Sequence, residues 1–205
     1  MERISEGAEA VLFAVDVAGV PAVVKDRIEK AYRVRALDDE IRSQRTKSEA
    51  RILARASSSG IKVPKVLMVS KHKIFMERLY GETLNAIMQE KMVGKKELEG
   101  IFSEAGKRLA ELHALGISHG DYTPANILVS NREVFVIDFG LAEMTKSDEE
   151  KALDLLLMKR SVSKKFYALF LSSYTAAFSD AERVTERLGE IEKRGRYQTR
   201  TMITG

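Results

Sequence analysis

The stretch HGDYTPAN, His119–Asn126, and the tripeptide DFG, Asp138–Gly140, decide the fold that this sequence predicts. Asp121 is placed to orient or deprotonate an attacking hydroxyl group, and Asn126 and Asp138 carry oxygen atoms suited to magnesium ions beside a transferring phosphoryl group. A single DFG would also suit an ordinary turn in which glycine supplies a positive φ. The two motifs in this order, twelve residues apart, indicate a phosphoryl-transfer site.

The N-terminal part of the chain, before these motifs, has the sequence pattern of a β-sheet with one helix. Strands are predicted at residues 10–17, 22–25, 66–70 and 73–77, with a helix over residues 37–56. Lys25 therefore lies at the end of a strand. Gly81 follows the last of these strands and marks the boundary between two lobes.

The C-terminal part is mainly helical in its pattern. Helices are predicted at residues 84–91, 97–115, 147–159, 164–178 and 179–195, and a β-hairpin leading into Asp138 is predicted at residues 127–129 and 134–137. Ser147 with Glu150, and Ser179 with Glu182, have the spacing of capping boxes that begin helices. Gly195 is typical of the residue that follows a helix.

Together these elements predict an α+β fold in two lobes. The predicted parts are a β-rich N-lobe at residues 1–80, a reduced helical C-lobe at residues 81–195 and a basic C-terminal tail at residues 196–205. With 205 residues the chain is long enough to bury a core. The tail, which contains Arg196 and Arg200, is either a solvated end or a segment that docks on a protein or RNA partner.

Composition narrows the class of protein. The chain is 44% hydrophobic and 31% charged, which suits a globular domain, and its net charge of +4 permits contact with RNA or acidic partners without requiring it. It has no cysteine, so neither disulfides nor a cysteine-ligated zinc ion can hold the fold. Residues 1–24 lack the layout of a signal peptide, and no apolar run is long enough to cross a bilayer. We expect a cytoplasmic protein without membrane contact.

Lys25 has two interpretations. A lysine on a strand is usually a surface residue. However, Glu49 follows 24 residues later in the predicted helix, and a strand lysine paired with a helix glutamate is the arrangement that orients nucleotide phosphates in kinases. With the two motifs downstream, we favour this functional interpretation.

Two further segments fit either a functional or a purely structural role. Gly7, Ala8 and Glu9 contain only one glycine for a loop that would cover phosphate. The segment fits two interpretations equally well: a loop whose backbone N–H groups face phosphate, and a simple hairpin turn. The backbone groups of Glu77 and Leu79 lie where a hinge between lobes would bond an adenine edge. A plain strand end is the alternative for these two residues.

The three histidines show no metal-binding pattern. His72, His113 and His119 are spaced too irregularly for a recognisable metal motif. We predict that His119 is a core histidine bonded to nearby backbone, and that the other two are structural.

These residues resemble the eukaryotic-like protein kinase superfamily from residue 3 to about residue 160. Over nearly the whole chain, the sequence is most similar to the small atypical kinases of the KEOPS complex. The features that carry this similarity are Gly7-Ala8-Glu9-Ala10, Lys25-Asp26-Arg27, Lys30-Ala31-Tyr32-Arg33, His-Gly-Asp with Thr123, and a Gly-Arg pair near the end. Ordinary protein kinases carry arginine at position 120 and lysine at position 123. Aminoglycoside phosphotransferases also use His-Gly-Asp, and RIO kinases also lack that lysine.

The resemblance implies a minimal bilobal protein-kinase-like fold that uses ATP and Mg²⁺. The implied site residues are Asp121 and Lys25 for catalysis; Gly7, Ala8, Glu9, Lys25, Glu49, Glu77, Leu79, Asn126 and Asp138 for nucleotide binding; and Asn126 and Asp138 for the metal. The implied activity is that of an autophosphorylating serine/threonine kinase, an ATPase, or both. It would serve the threonylcarbamoyladenosine modification at position 37 of tRNA.

The resemblance also implies partners. These are a sugar-kinase-like (ASKHA) KEOPS subunit on the C-lobe and basic tail, a small KEOPS subunit on the N-lobe, and contact with tRNA. Such proteins act largely as ATPases and regulators.

The short segment after Gly140 bears on the phosphate acceptor. The capped helix at Ser147 begins within seven residues, and the Ala-Pro-Glu that closes a peptide-docking activation segment is missing. We therefore expect poor activity on generic peptides, with autophosphorylation or transfer to water instead. Two alternatives stay open, an ATP-binding regulatory scaffold with negligible turnover and a small-molecule phosphotransferase.

Overall fold

The computed structural model describes residues 2–203, and for residues 195–203 only the backbone helix is described. An antiparallel five-stranded sheet in the order β1-β2-β3-β5-β4 forms the N-terminal part. Its elements are β1 (Glu2–Glu6), β2 (Ala10–Val17), β3 (Val20–Arg27), α1 (Arg35–Ser58), β4 (Val66–Val69) and β5 (Lys73–Glu77).

The hairpin between β2 and β3 sets the register of this sheet. Ala18 and Gly19 have φ values of 53° and 83°, and the Gly19 N–H donates to Asp16 Oδ1 at 2.7 Å. Positive φ at both central residues is the geometry of a two-residue turn whose twist matches that of the strands. Since strand residues alternate between faces, this register places Lys25 and Arg27 on the same face of β3.

Helices dominate the C-terminal part. Its elements are β6 (Glu82–Thr83), α2 (Leu84–Glu90), α3 (Lys95–Ala114), β7 (Ile117–Ser118), a 3₁₀ turn (Pro124–Asn126), β8 (Ile127–Ser130), β9 (Glu133–Val136), β10 (Glu143–Met144), α4 (Asp148–Ser161), α5 (Lys164–Ala177) and α6 (Ala181–Ile203). The small strands form a sheet β6-β8-β9 and a pair β10-β7. In the core α3 packs against α5, α4 packs against α6, and α1 packs against β4 and β5. Ile52, Phe102, Leu109 and Phe170 are almost completely buried.

The predicted elements before residue 180 are present with small shifts at their ends. The N-cap at Ser147 is present, because its hydroxyl accepts from the Glu150 N–H at 3.4 Å. The predicted capping box is incomplete, since the Ser147 N–H donates to Thr145 Oγ1 at 2.9 Å and not to the Glu150 side chain. β1 and the two-residue strands β6, β7 and β10 were not predicted. No helix within residues 2–203 is long and apolar enough to cross a membrane.

The prediction for the last helix was wrong at both ends. α6 begins at Ala181, so Asp180 and not Ser179 directly precedes it, and the helix continues through Gly195 to Ile203. A glycine inside a helix costs only about 1 kcal/mol relative to alanine, which neighbouring helix-forming residues can offset. Residues 196–203 are therefore helical; Thr204 and Gly205 lie outside the described residues. The lobe boundary at residue 81 stays a prediction.

Two glycines in α3 provide a matched test of how closely the core is packed. A Cβ on Gly106 would overlap the Phe170 carbonyl oxygen of α5, whereas a Cβ on Gly100 would meet no atom within 4 Å. We predict that Gly106→Ala lowers the free energy of unfolding by about 1–3 kcal/mol through overpacking. Gly100→Ala should raise it by about 0.5–1 kcal/mol, since alanine loses less backbone entropy. Urea denaturation of both variants measures this, and equal effects would contradict the close approach of α3 and α5.

Candidate active site

Lys25 joins three separate parts of the chain at one point. Its Nζ lies 2.6 Å from Glu49 Oε1 on α1 and 2.7 Å from Asp138 Oδ1 beyond β9. The predicted pair of strand lysine and helix glutamate is therefore present. Lys25 and Glu49 are both buried, so each charge depends on the other for compensation.

Asp138 projects into the cleft from a constrained backbone. Its φ of 60° lies in the left-handed region, which few residues other than glycine adopt. Its Oδ1 also accepts from the Gly140 N–H at 3.1 Å. Partial burial raises the pKa of the carboxyl group, but the Lys25 ammonium and these hydrogen bonds outweigh that effect and hold the pKa below its ordinary value. The Asp138 carboxylate is thus ionised at neutral pH while its side chain remains 55% exposed.

Two candidate residues of the His119–Asn126 loop are joined by one side-chain amide. Asn126 Nδ2 donates to the Asp121 carbonyl oxygen at 2.8 Å and to Asp121 Oδ2 at 2.9 Å. The 3₁₀ turn at Pro124–Asn126 brings the two side chains into this arrangement. Because both Nδ2 protons are used, the Asn126 amide presents its oxygen as the remaining polar atom.

Asn126 and Asp138 have donor atoms that fit Mg²⁺. Carboxylate and amide oxygens suit this hard cation, which normally keeps several waters and takes only one or two protein carboxylates together with substrate phosphates. In residues 2–203 there is no cluster of three or more histidine, cysteine, aspartate or glutamate side chains that would form a protein-only metal cage. The site therefore suits a metal carried with a nucleotide.

A cavity of about 860 Å³ lies beside these residues. It is lined by every residue that the sequence assigned to the site, namely Gly7, Ala8, Glu9, Lys25, Glu49, Glu77, Leu79, Asp121, Asn126 and Asp138. The structure thus brings all ten together in one cleft. Their individual functions stay predictions.

The loop at Gly7–Glu9 is fixed over this cavity by several contacts. Gly7 N–H donates to the Ala10 carbonyl at 2.9 Å, and Lys30 donates to the Ala8 carbonyl. Arg45 on α1 bonds Glu9 Oε2 at 2.5 Å. This ion pair balances a carboxylate that would otherwise oppose phosphate.

The segment after β5 has backbone groups facing the cavity. The Glu77 N–H bonds the Lys65 carbonyl at 2.9 Å, and the Arg78 N–H bonds the Pro21 carbonyl at 3.2 Å. Within the described part of the chain, no backbone carbonyl accepts from the Leu79 N–H. Leu79 therefore retains a donor for the edge of a bound base.

The histidine and glycine before Asp121 are structural. His119 is fully buried, and its Nε2 donates to the Ile137 carbonyl at 3.1 Å, which confirms the predicted core histidine. Gly120 has φ of 76°, and a Cβ there would lie 2.5 Å from the Leu141 carbonyl oxygen. A larger residue is excluded at this position because both its conformation and its space are unsuitable.

Asp154 on α4 positions this loop and was missed from the sequence. Its Oδ2 accepts from the His119 N–H at 2.7 Å and its Oδ1 from the Gly120 N–H at 2.8 Å. His113 bonds the same carboxylate at 3.2 Å and the Tyr174 hydroxyl at 2.8 Å. The sequence does place Asp154 between two leucines on a predicted helix, which is a signal for a buried charge. Whether the residue is buried, however, depends on how α4 packs.

Comparison with known proteins identifies the family. The RIO domain family matches residues 22–177. The KEOPS complex subunit Bud32 of Pyrococcus abyssi is 35% identical, with the match covering 100% of both chains. The KEOPS subunit bud32 of Dictyostelium discoideum is 34% identical, covering 96% of this chain and 83% of that protein. The chain belongs to the Bud32 family of RIO-domain proteins.

Another Bud32 relative is longer than this chain. The probable bifunctional tRNA threonylcarbamoyladenosine biosynthesis protein of Methanocorpusculum labreanum is 37% identical over 96% of this chain, which spans 36% of that protein. Among solved structures, one match is Rio2 kinase from Chaetomium thermophilum, determined with ADP, Mg²⁺ and phosphoaspartate. Its TM-score is 0.65 at 13% identity, and the match covers 97% of this chain and 72% of the Rio2 chain. WaaP in complex with acyl carrier protein has a TM-score of 0.64 at 15% identity, and the match covers 94% of this chain and 88% of the WaaP chain. These two similarities show the bilobal kinase-like fold.

The buried histidines predict a pH dependence of stability. Burial lowers the pKa of His113 and His119 below the ordinary value of 6.5, so both rings stay neutral when folded. As pH falls through that value, the unfolded chain binds protons that the folded chain excludes, and the free energy of unfolding decreases. We expect the midpoint temperature of thermal unfolding to decrease as the pH is lowered from about 7 to about 5. In His113→Gln this decrease should be smaller. A midpoint that stays constant or rises towards the lower pH would contradict the neutral buried rings.

Proposed function

We propose that this chain is an ATP-dependent atypical serine/threonine kinase, an ATPase, or both, in a KEOPS-like complex for tRNA threonylcarbamoyladenosine modification. The observation that carries the proposal is the Lys25 ammonium, 2.6 Å from Glu49 and 2.7 Å from Asp138, beside the hydrogen-bonded Asp121 and Asn126. Three relatives support it through their names. They are the Bud32 subunit of Pyrococcus abyssi, the bifunctional protein of Methanocorpusculum labreanum and a probable serine/threonine-protein kinase BUD32 homologue of Archaeoglobus fulgidus.

In the proposed mechanism, Lys25 binds the α- and β-phosphates of ATP and Glu49 orients the Lys25 side chain. Asp121 orients the attacking hydroxyl or water and accepts its proton. Asn126 and Asp138 would hold Mg²⁺, which supplies charge neutralisation at the phosphates when bound.

Other parts of the cleft would hold the rest of the nucleotide. In the Gly7–Glu9 loop, the Ala8 and Glu9 N–H groups are proposed to contact phosphate oxygens, while the Gly7 N–H holds the turn by donating to the Ala10 carbonyl. The Glu77 carbonyl and the Leu79 N–H are proposed to bond the adenine edge. Both segments line the same cavity as Lys25, which supports this assignment.

The segment that follows Gly140 favours acceptors other than peptides. Between Gly140 and the start of α4 at Asp148 it forms only the two-residue strand β10, which pairs with β7. This leaves little surface to align a peptide. We therefore propose autophosphorylation or hydrolysis of ATP as the reaction of the isolated chain.

The proposed partners follow the relatives' assemblies. A sugar-kinase-like subunit would contact the C-lobe and the basic segment from residue 196, a small subunit would bind the N-lobe, and tRNA would approach the complex in the cytoplasm. The described part of that basic segment continues α6 to Ile203, which would give the sugar-kinase-like subunit a helical surface.

Following the γ-phosphate of labelled ATP, with and without a sugar-kinase-like partner, tests this function. Label on the protein supports a kinase, and mapping it names the acceptor residue. Free phosphate, released faster with the partner, supports an ATPase. If the label does not move in either case, the chain is a nucleotide-binding scaffold. If it moves instead to an added small molecule, the chain is a small-molecule phosphotransferase.

Asp121 gives the sharpest single prediction. Asp121→Asn keeps the shape of the side chain and an oxygen for Asn126 Nδ2, but it removes the group that accepts a proton. We expect turnover to fall by about a hundredfold or more while ATP affinity stays within about threefold of wild type. Single-turnover assays and titration calorimetry measure the two quantities. Wild-type turnover in this variant would exclude Asp121 as the base.

A further inference from the structure

Arg27 is a second buried cation at the cleft, two residues beyond Lys25 on the same face of β3. Its Nη2 lies 2.5 Å from Glu49 Oε2, while Lys25 bonds the other oxygen, Oε1, at 2.6 Å. The side chains of Arg27 and Glu49 are only 3% and 2% exposed. Each carboxylate oxygen of Glu49 therefore has its own cation.

The charges of this cluster balance only when Arg27 is included. Lys25 is shared between Glu49 and Asp138, so without Arg27 one ammonium would face two carboxylates. A buried carboxylate that loses a cation either moves or takes up a proton. Under the proposed function, Lys25 must also bind phosphate, which weakens its hold on Glu49 further.

The Arg27 guanidinium also lies close to the segment after Asp138. A Cβ built on Gly140 would lie 4.0 Å from Arg27 Nη2 and 3.2 Å from Lys25 Nζ. Arg27 lines the cavity, and its buried Nε has no hydrogen-bond partner among the side chains that the structure describes. A buried donor without a partner costs free energy, which offsets part of what the ion pair with Glu49 contributes to stability.

We propose that Arg27 is a positioning residue for phosphoryl transfer. It neutralises and holds Glu49, so that the Lys25 ammonium keeps its orienting contact with Glu49 while it exchanges its contact with Asp138 for contacts with the nucleotide phosphates. This inference rests on the proposed function. According to this inference, Arg27 affects turnover indirectly, by holding Glu49 in place.

The test compares Arg27→Gln, Arg27→Lys, Glu49→Gln and the double variant Arg27→Gln/Glu49→Gln, each assayed where circular dichroism shows it folded. We expect Arg27→Gln to lower kcat by about tenfold or more with KM changed by less than about threefold. Arg27→Lys should recover part of this loss because it restores the charge. In the Glu49→Gln background, Arg27→Gln should cause little further loss, since the two side chains act as one unit.

Arg108→Gln is the matched structural control. Arg108 on α3 pairs with Glu104 and, at 2.8 Å, with Glu111, and its buried Nε also has no partner among the described side chains, but it does not line the cavity. This variant should lower the thermal midpoint without changing kcat.

Three results would overturn the inference. These are unchanged kcat in Arg27→Gln, losses that multiply in the double variant, and equal losses of kcat in Arg27→Gln and Arg108→Gln. In each of these cases wild-type turnover leaves the proposed function intact. No turnover in the wild-type chain, alone or with partner, would overturn the proposed function and this inference together.

Discussion

The Lys25 ammonium, held between Glu49 and Asp138, constrains how the sheet, α1 and the segment after β9 pack around the cleft. It joins β3 to residues 24 and 113 positions further along the chain. The sheet, α1 and the segment after β9 must therefore be packed correctly before these charges can be paired. A buried ammonium without carboxylates would be costly, and so would Glu49 without cations. The fold is thus organised around a charge cluster, and phosphate and metal are the ligands that such a cluster suits.

The loop carrying Asp121 depends on a second buried charge. Asp154 accepts the N–H groups of His119 and Gly120, and His113 and Tyr174 complete its hydrogen bonds. α4 thereby fixes the backbone of the His119–Asn126 loop, while Asn126 fixes Asp121 from within the loop. The C-terminal part can therefore be small and still hold the candidate site residues rigidly.

Much of this arrangement was predictable because it depends on local pattern. A run of β-forming residues predicted β2. Lys25 on its strand, with Glu49 24 residues later, and the two motifs downstream predicted the residues that line the cleft. Asp154 and Arg27 were missed as site residues because the neighbouring sequence does not indicate that they are buried. Their burial depends on which helix packs over them. The end of α6 was wrong for a related reason, since one glycine is a weak stop signal when the flanking residues favour helix. Strands of two residues, such as β7 and β10, exist only through their partners.

We infer that Asp138 and the Lys25 cluster form a site for a metal-bound triphosphate. Titration calorimetry of ATP, with and without Mg²⁺, in wild type and Asp138→Asn tests this inference. Mg²⁺ should strengthen ATP binding to the wild type, and the variant should lose this gain. Adenosine, which has no phosphate to share a metal, should bind both proteins equally. The same gain from Mg²⁺ in both proteins would contradict the inference.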